Sequence, residues 1–183
     1  MTTPSDDMQV TAAAKADIDA VAALYDAVLD DLAAHTDYTG WRKGLYPART
    51  HAVAAQADGN LYVLRPGNQP AEAAPGSAIL NSVTLDGYER IPWAVPQDEL
   101  ALVIHTLVIH PAYTGQGLAA RLLDFAEKEA ARRQLSALRL DVACRNTPAR
   151  RLYEKHGYVL RGEMEPHWPI TTVRHFAFYE KLL

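Results

Sequence analysis

Val108-Ile109-His110-Pro111-Ala112-Tyr113-Thr114-Gly115-Gln116-Gly117-Leu118-Ala119 leads from an apolar run, through a turn holding two glycines, directly into a helical pattern. Glycine permits positive φ and close backbone approach, so successive N–H groups can converge on one concavity. With a helix N-terminus behind them, such groups favour a phosphate or pyrophosphate. Alone, the turn is equally well read as a tight bend that needed glycine. Two phosphate-binding classes fit poorly. There is no Gly-Lys-Ser/Thr ending of the ATPase type, and a dinucleotide fold would want a third glycine in the turn and an early position in the chain, neither of which is present.

Downstream stands Asn146-Thr147-Pro148-Ala149-Arg150-Arg151-Leu152-Tyr153-Glu154-Lys155-His156-Gly157-Tyr158. The punctuation predicts a helix over 147–156: Thr147 as its cap, Pro148 in its first turn and Gly157 as its stop. Ala149 and Tyr153 then lie one turn apart on one face, where a slim ligand could pass the alanine and meet the phenol. The structural alternative makes Leu152 and Tyr153 core and leaves Asn146 to help cap the helix.

Together the two stretches resemble the signature segments of the GNAT superfamily, the acyl-CoA-dependent N-acyltransferases. That family's Arg/Gln-x-x-Gly-x-Gly/Ala turn falls on Thr114 to Ala119, with Thr114 replacing the usual Arg or Gln. Its Asn-x-x-Ala-x-x-Leu-Tyr-x-x-x-Gly-Phe/Tyr segment matches Asn146 to Tyr158 without insertion. The resemblance implies an α/β fold with a mixed, mostly antiparallel central sheet and helices on both faces. It also implies that acetyl-CoA lies in a splay between strands 100–109 and 137–142. Backbone groups of Leu107, Val108 and Ile109 would pair with the pantetheine amides. Thr114, Gly115, Gln116, Gly117, Leu118, Ala119 and Ala120 would hold the pyrophosphate, with Thr114 acting through its backbone N–H. Asn146 would touch the pantetheine arm, and Tyr153 would protonate the departing thiolate.

Elementary chemistry supports Tyr153 separately, because a phenol with a reference pKa of about 10 stays protonated at neutral pH. A main-chain N–H of the 107–109 edge could stabilise the oxyanion. His105 is the preferred base for the amine, since imidazole titrates near neutrality; a hydrogen-bonded core histidine is the competing reading. Glu99, six residues earlier on the same strand face, is the second candidate, about 20 Å away along an ideal strand. His110 marks the strand exit. Cys144 has no activating motif and reads as a small structural residue.

Outward from these segments, periodicity places strands over 8–12, 61–64, 77–83, 100–109, 137–142, 158–161 and 173–181. Helices are expected from Ile18 to Leu32, over 49–57, and over 117–133. A loop over 36–47 and a long excursion over 84–98 carry Trp41, Tyr46, Tyr88 and Trp93. These four could wall an amine pocket through apolar or cation–π contact, or fill core beneath the loops. Asp37 is a candidate for an ammonium. His167 and Trp168 could border the same cleft or form a homodimer contact.

With 183 residues, 49% of them hydrophobic and 22% charged, the chain can bury a core without staples. Residues 1–7 are expected to be a disordered N-terminal tail and 8–183 a single acetyltransferase domain. The formal charge of −4 disfavours a nucleic-acid partner. One cysteine and no zinc-like His/Cys spacing imply no disulfide and no metal. The absence of a signal peptide or spanning run points to the cytoplasm, with no membrane partner. The expected activity is acetyl transfer to a small amine, an amino acid or a peptide N-terminus, with acetyl-CoA as cosubstrate. The rival is a non-catalytic acyl-CoA-binding regulatory module.

Overall fold

In the computed structural model, which describes residues 8–66, 74–96 and 98–183, the apolar run after Leu100 becomes β4 (Ala101–Ile109), the middle strand of seven. The sheet order is β1 (Met8–Ala12), β2 (Leu61–Pro66), β3 (Gly76–Asn81), β4, β5 (Ala137–Ala143), β7 (Phe176–Leu182) and β6 (Val159–Met164). Every neighbouring pair is antiparallel except β4 with β5. The expected tail over 1–7 and the Glu99 side chain lie outside the described residues. Among the described residues, no helix is long and apolar enough to cross a membrane.

Helices cover both faces, as their apolar stripes require. On α1 (Ile18–Ala34), Val21, Leu24 and Tyr25 are buried with Ala52 and Ala55 of α2 (Arg49–Ala57) against β2 and β3. On the other face, α3 (Leu118–Arg132) buries Leu118, Leu122, Leu123 and Ala126 beside Tyr153 of α4 (Thr147–Lys155). Each such leucine contributes about 1.5–3 kcal/mol relative to exposure.

Two features of β4 set up the site. Its ladder with β5 covers only Ala101 to Val103 opposite Ala137 to Arg139. Beyond that point β5 continues alongside β7 to Ala143, and the two parallel strands part. Against β3, the register passes from Ile79↔His105 to Ser77↔Val108, so Thr106 and Leu107 together oppose Ala78. This is a β-bulge, with Thr106 at φ 48. The extra residue reverses the alternation. Leu102 and Ile104 face α3 before the bulge, and Leu107 and Ile109 face it afterwards.

Some boundaries differ from the sequence reading. β7 begins at Phe176 rather than 173, because residues 171–173 pack on the 36–47 loop instead. The Thr171 hydroxyl donates to the Thr39 carbonyl (2.7 Å), and the Thr172 N–H donates to that of Gly40 (3.0 Å). β6 extends to Met164 along β7. Thr147 does not cap α4: Asn146 does, accepting from the Ala149 N–H at 3.3 Å.

The 84–98 excursion is tied to the sheet by charge. Arg139 and Glu180 are both fully buried, 3.4 Å apart. Glu180 also accepts from the Ala94 N–H (2.8 Å) and from Arg161 (3.0 Å), while Arg139 donates to the Val95 carbonyl and to Asp98. Burying these ions is tolerable only because both are so fully paired.

Candidate active site

Where β4 and β5 part, a cleft of about 280 Å³ opens. Its walls include Ile104 to Ile109 of β4 except His105, Val142 and Ala143 of β5, Ala119 of α3, and Asn146, Ala149, Leu152 and Tyr153 at α4. Among the described residues, Ile104 to Ile109 form no ladder with β5, so that edge of the backbone borders the cleft without a strand partner. The glycine turn stands at the start of α3. Gly115 (φ 79) and Gly117 (φ 77) adopt the left-handed region that favours glycine, and a Cβ on either would meet nothing within 4 Å. Conformation rather than crowding demands glycine here, and open space lies in front of it.

The donors are the N–H groups from Gly115 onward, with those of Leu118, Ala119 and Ala120 being first-turn groups that have no partner within the helix. Thr114 departs from expectation, since its N–H closes a short 3₁₀ turn on the Pro111 carbonyl (3.2 Å). The Gln116 amide bonds the Ala112 carbonyl (3.4 Å), and the Leu118 side chain is core. His110 caps the 3₁₀ turn by accepting from the Ala112 N–H, which agrees with its reading as the strand exit.

A smaller cavity of about 60 Å³ adjoins the cleft and shares Trp41, Ile104, Thr106, Asp141 and Phe176 with it. His105, Tyr46 and Trp168 complete much of its wall. The Tyr46 and Thr106 hydroxyls lie 2.5 Å apart, linking the 36–47 loop to the bulge. Tyr46 also packs edge-on against Trp41 and His51.

His105 places Nε2 3.0 Å from the Val83 carbonyl. A carbonyl only accepts, so Nε2 carries the proton and Nδ1 keeps its lone pair when the ring is neutral. Burial lowers the imidazole pKa, opposed in part by the Asp141 carboxylate and the Val83 bond. Burial likewise raises the Asp141 carboxyl, while nearby His105 and the Tyr88 hydroxyl, donating at 2.8 Å, pull it down. On Tyr153, burial above all and then the Asp141 charge push the phenol far up, so it is protonated at any ordinary pH.

The remaining candidates fall elsewhere. Tyr88 and Trp93 line neither cavity. They stack with each other and with Phe178 beneath the excursion, and the Trp93 indole lies over Arg139. Tyr88 is buried in this cluster and Trp93 half-buried against it, and the Tyr88 hydroxyl reaches Asp141 from behind. Asp37 is occupied by its own loop, accepting from the Thr39 and Gly40 N–H groups and pairing with Arg145. His167 lines neither cavity, whereas Trp168 walls the second and donates to the Asp86 carbonyl. Cys144 also lines neither, and burial, reinforced by Glu163, pushes its thiol up to about 11, unlike an activated nucleophile. Sequence reasoning missed Asp141 and Thr106. The available signal for Asp141 was a carboxylate inside β5, two residues after Arg139, in a strand whose other members are all apolar.

The model of the acetyltransferase (GNAT) family matches residues 21–158. The streptothricin acetyltransferase of Escherichia coli is 42% identical over 65 residues, which are 36% of this chain and 37% of that protein. The match thus spans little more than a third of that relative's length. Among solved structures, a GNAT-family acetyltransferase of Streptococcus agalactiae superposes with a TM-score of 0.76 at 20% identity, covering 96% of this chain and 95% of that one. The ribosomal-protein-S18-alanine N-acetyltransferase of Escherichia coli gives 0.66 at 17%, covering 96% and 93%. Salmonella typhimurium yncA, solved with its cofactor acetyl-CoA, gives 0.66 at 18%, covering 97% and 94%. At these identities the likeness is one of fold.

Proposed function

The chain belongs to the GNAT acetyltransferase family, and from that premise we propose that it moves the acetyl group of acetyl-CoA onto a primary amine by direct attack in a ternary complex. The observation that carries this reading is the meeting of two cavities at the β4–β5 splay. A phenol that burial keeps protonated in the resting enzyme stands on one, and an imidazole whose Nδ1 keeps its lone pair stands on the other.

The residues present suit acetyl-CoA, which supplies the activated acetyl thioester. The cleft is slim, its β4 edge has free backbone groups, and the glycine turn opens onto space that a pyrophosphate could occupy. In this reading the Leu107, Val108 and Ile109 backbone holds the pantetheine amides, and the N–H groups of 115–120 hold the pyrophosphate. Asn146 and Ala149 border the arm. His105 Nδ1 takes a proton from the amine. The C–N bond forms, the C–S bond breaks, and Tyr153 hands its proton to sulfur before regaining one from solvent. A β4 main-chain N–H stabilises the oxyanion.

The second cavity, with Trp41 and Tyr46 beside the Asp141 carboxylate, suits the slender alkylammonium end of a small amine, an amino acid or a peptide. Streptothricin, named in the related enzyme, belongs in the acceptor panel.

Calorimetric titration with acetyl-CoA tests the cofactor assignment. Micromolar binding by the wild type, abolished in Gly117→Arg, is expected, because the long side chain would occupy the open space before the turn. No binding by the wild type would overturn the reading. A product screen by mass spectrometry then identifies the acceptor.

A further inference from the structure

We propose that Cys144, Glu163 and His175 form a binding site for a zinc-class divalent transition-metal ion on the flank of the sheet. The ligating atoms of the three side chains all lie within 4.8 Å of one another. They are 19 and 12 residues apart in the chain, so no sequence spacing announces them. Sheet pairing brings them together. Cys144 directly follows β5 and His175 directly precedes β7, and the Cys144 N–H donates to the His175 carbonyl at 2.9 Å, prolonging the β5–β7 ladder. On the far side of β7, Glu163 pairs in register with Ala177, two residues from His175.

Thiolate, imidazole and carboxylate form a donor set suited to Zn²⁺ and its neighbours. Around a tetrahedral ion such donors stand roughly 3.5 Å apart, so side-chain rotation alone closes the site. The surroundings fit ligation as well. His175 Nε2 is 3.6 Å from Glu163 Oε2, while its other nitrogen, Nδ1, is 3.7 Å from Glu165 Oε1. A carboxylate behind a ligating imidazole orients the ring and raises its basicity. Arg150 donates to Glu163 Oε1 (2.8 Å) and to the Cys144 carbonyl (3.3 Å), which leaves Oε2 turned toward the histidine. Glu163 and His175 are 36% and 53% exposed, giving an ion a way in and room for water as the fourth ligand. On binding, the thiol proton leaves to solvent and sulfur ligates as thiolate. The site is independent of the acetyl-transfer reading, although Ala143 and Phe176, next in the chain to Cys144 and His175, line the cleft.

Titration of the full chain with Co²⁺ under a non-thiol reductant is the test. The chain has one cysteine, so thiolate-to-cobalt charge transfer in the near ultraviolet reports Cys144 alone. The expected result is a stoichiometric charge-transfer band that Zn²⁺ displaces. Cys144→Ser should abolish it. His175→Ala, at a half-exposed position that leaves the fold intact by circular dichroism, should weaken Zn²⁺ binding at least about tenfold, and Glu165→Gln about tenfold. Absence of the band at stoichiometric metal, or equal metal affinity in wild type, Cys144→Ser and His175→Ala, would overturn the proposal. His175 would then be only an ion-pair partner of the two glutamates.

Discussion

Burial acts on Tyr153 and His105 with opposite sign and leaves each in the protonation state that the proposed reaction needs. Desolvation disfavours the charged form of either group, so the phenol keeps its proton and the imidazole stays neutral. Tyr153→Phe should lower kcat by about 10²–10⁴-fold while acetyl-CoA affinity in the calorimeter stays close to that of the wild type. Unchanged turnover would remove the phenol from the mechanism. For His105, the folded pKa lies below the usual 6.5. Whatever stability and basicity the neutral ring contributes are therefore present above 6.5 and lost as the pH falls through the lowered value. The kcat/KM for the amine should rise with pH along a limb centred below 6.5, and His105→Ala should abolish that limb. Both residues could be picked out from their places on a strand and a helix. For Asp141 the sequence offers only a carboxylate within a strand; its role comes from sharing a cavity wall with His105 of the neighbouring strand β4 and from the Tyr88 hydroxyl behind it.

At the scale of elements, α3 and α4 were legible almost residue by residue, since Gly117, Pro148 and Gly157 punctuate them and apolar periodicity fills them in. Thr147 misled because Asn146, one position earlier, also has a capping side chain, and its carbonyl oxygen reaches the Ala149 N–H. The 36–47 loop shows what local sequence cannot convey. It docks on residues 171–173, far along the chain, with Gly40 (φ +68) at the tightest point. A Cβ at Gly40 would stand 2.7 Å from both Thr172 Oγ1 and the Val173 nitrogen. Gly40→Ala should therefore lift the loop at a cost on the order of 1–3 kcal/mol. Steady-state kinetics should show a raised KM for the amine, since Trp41 and Tyr46 ride on this loop, with that for acetyl-CoA little changed.

Across the whole molecule, the sheet both builds the core and exposes the cleft. Its two faces are sealed by α1 with α2 and by α3 with α4, and the third apolar cluster, around Tyr88, Trp93 and Phe178, lies under the excursion. That excursion is held by the Arg139–Glu180 pair. Glu180→Ala would leave the Arg139 guanidinium without its buried counter-ion and strip the Ala94 N–H of its acceptor. A loss of about 3–5 kcal/mol in urea unfolding is expected. A smaller loss would mean that Asp98 and the Val95 carbonyl suffice for the charge.

By itself the sequence determined the class of fold, the order of its elements, the glycine turn and the Asn-to-Tyr segment that lead to the family. All of these rest on local signals: apolar periodicity, caps, and short motifs whose members lie within one or two turns of each other. Only the tertiary structure decided where β4 leaves β5, that a bulge at Thr106 reverses the strand's faces, and that Asp141 joins the two cavities. It also packed Tyr88 and Trp93 beneath the excursion while placing Trp41 and Tyr46 on cavity walls, and it gathered Cys144, Glu163 and His175. These outcomes depend on strand register and on contacts between residues distant in the chain, where a one-residue shift turns a side chain from one face of the sheet to the other.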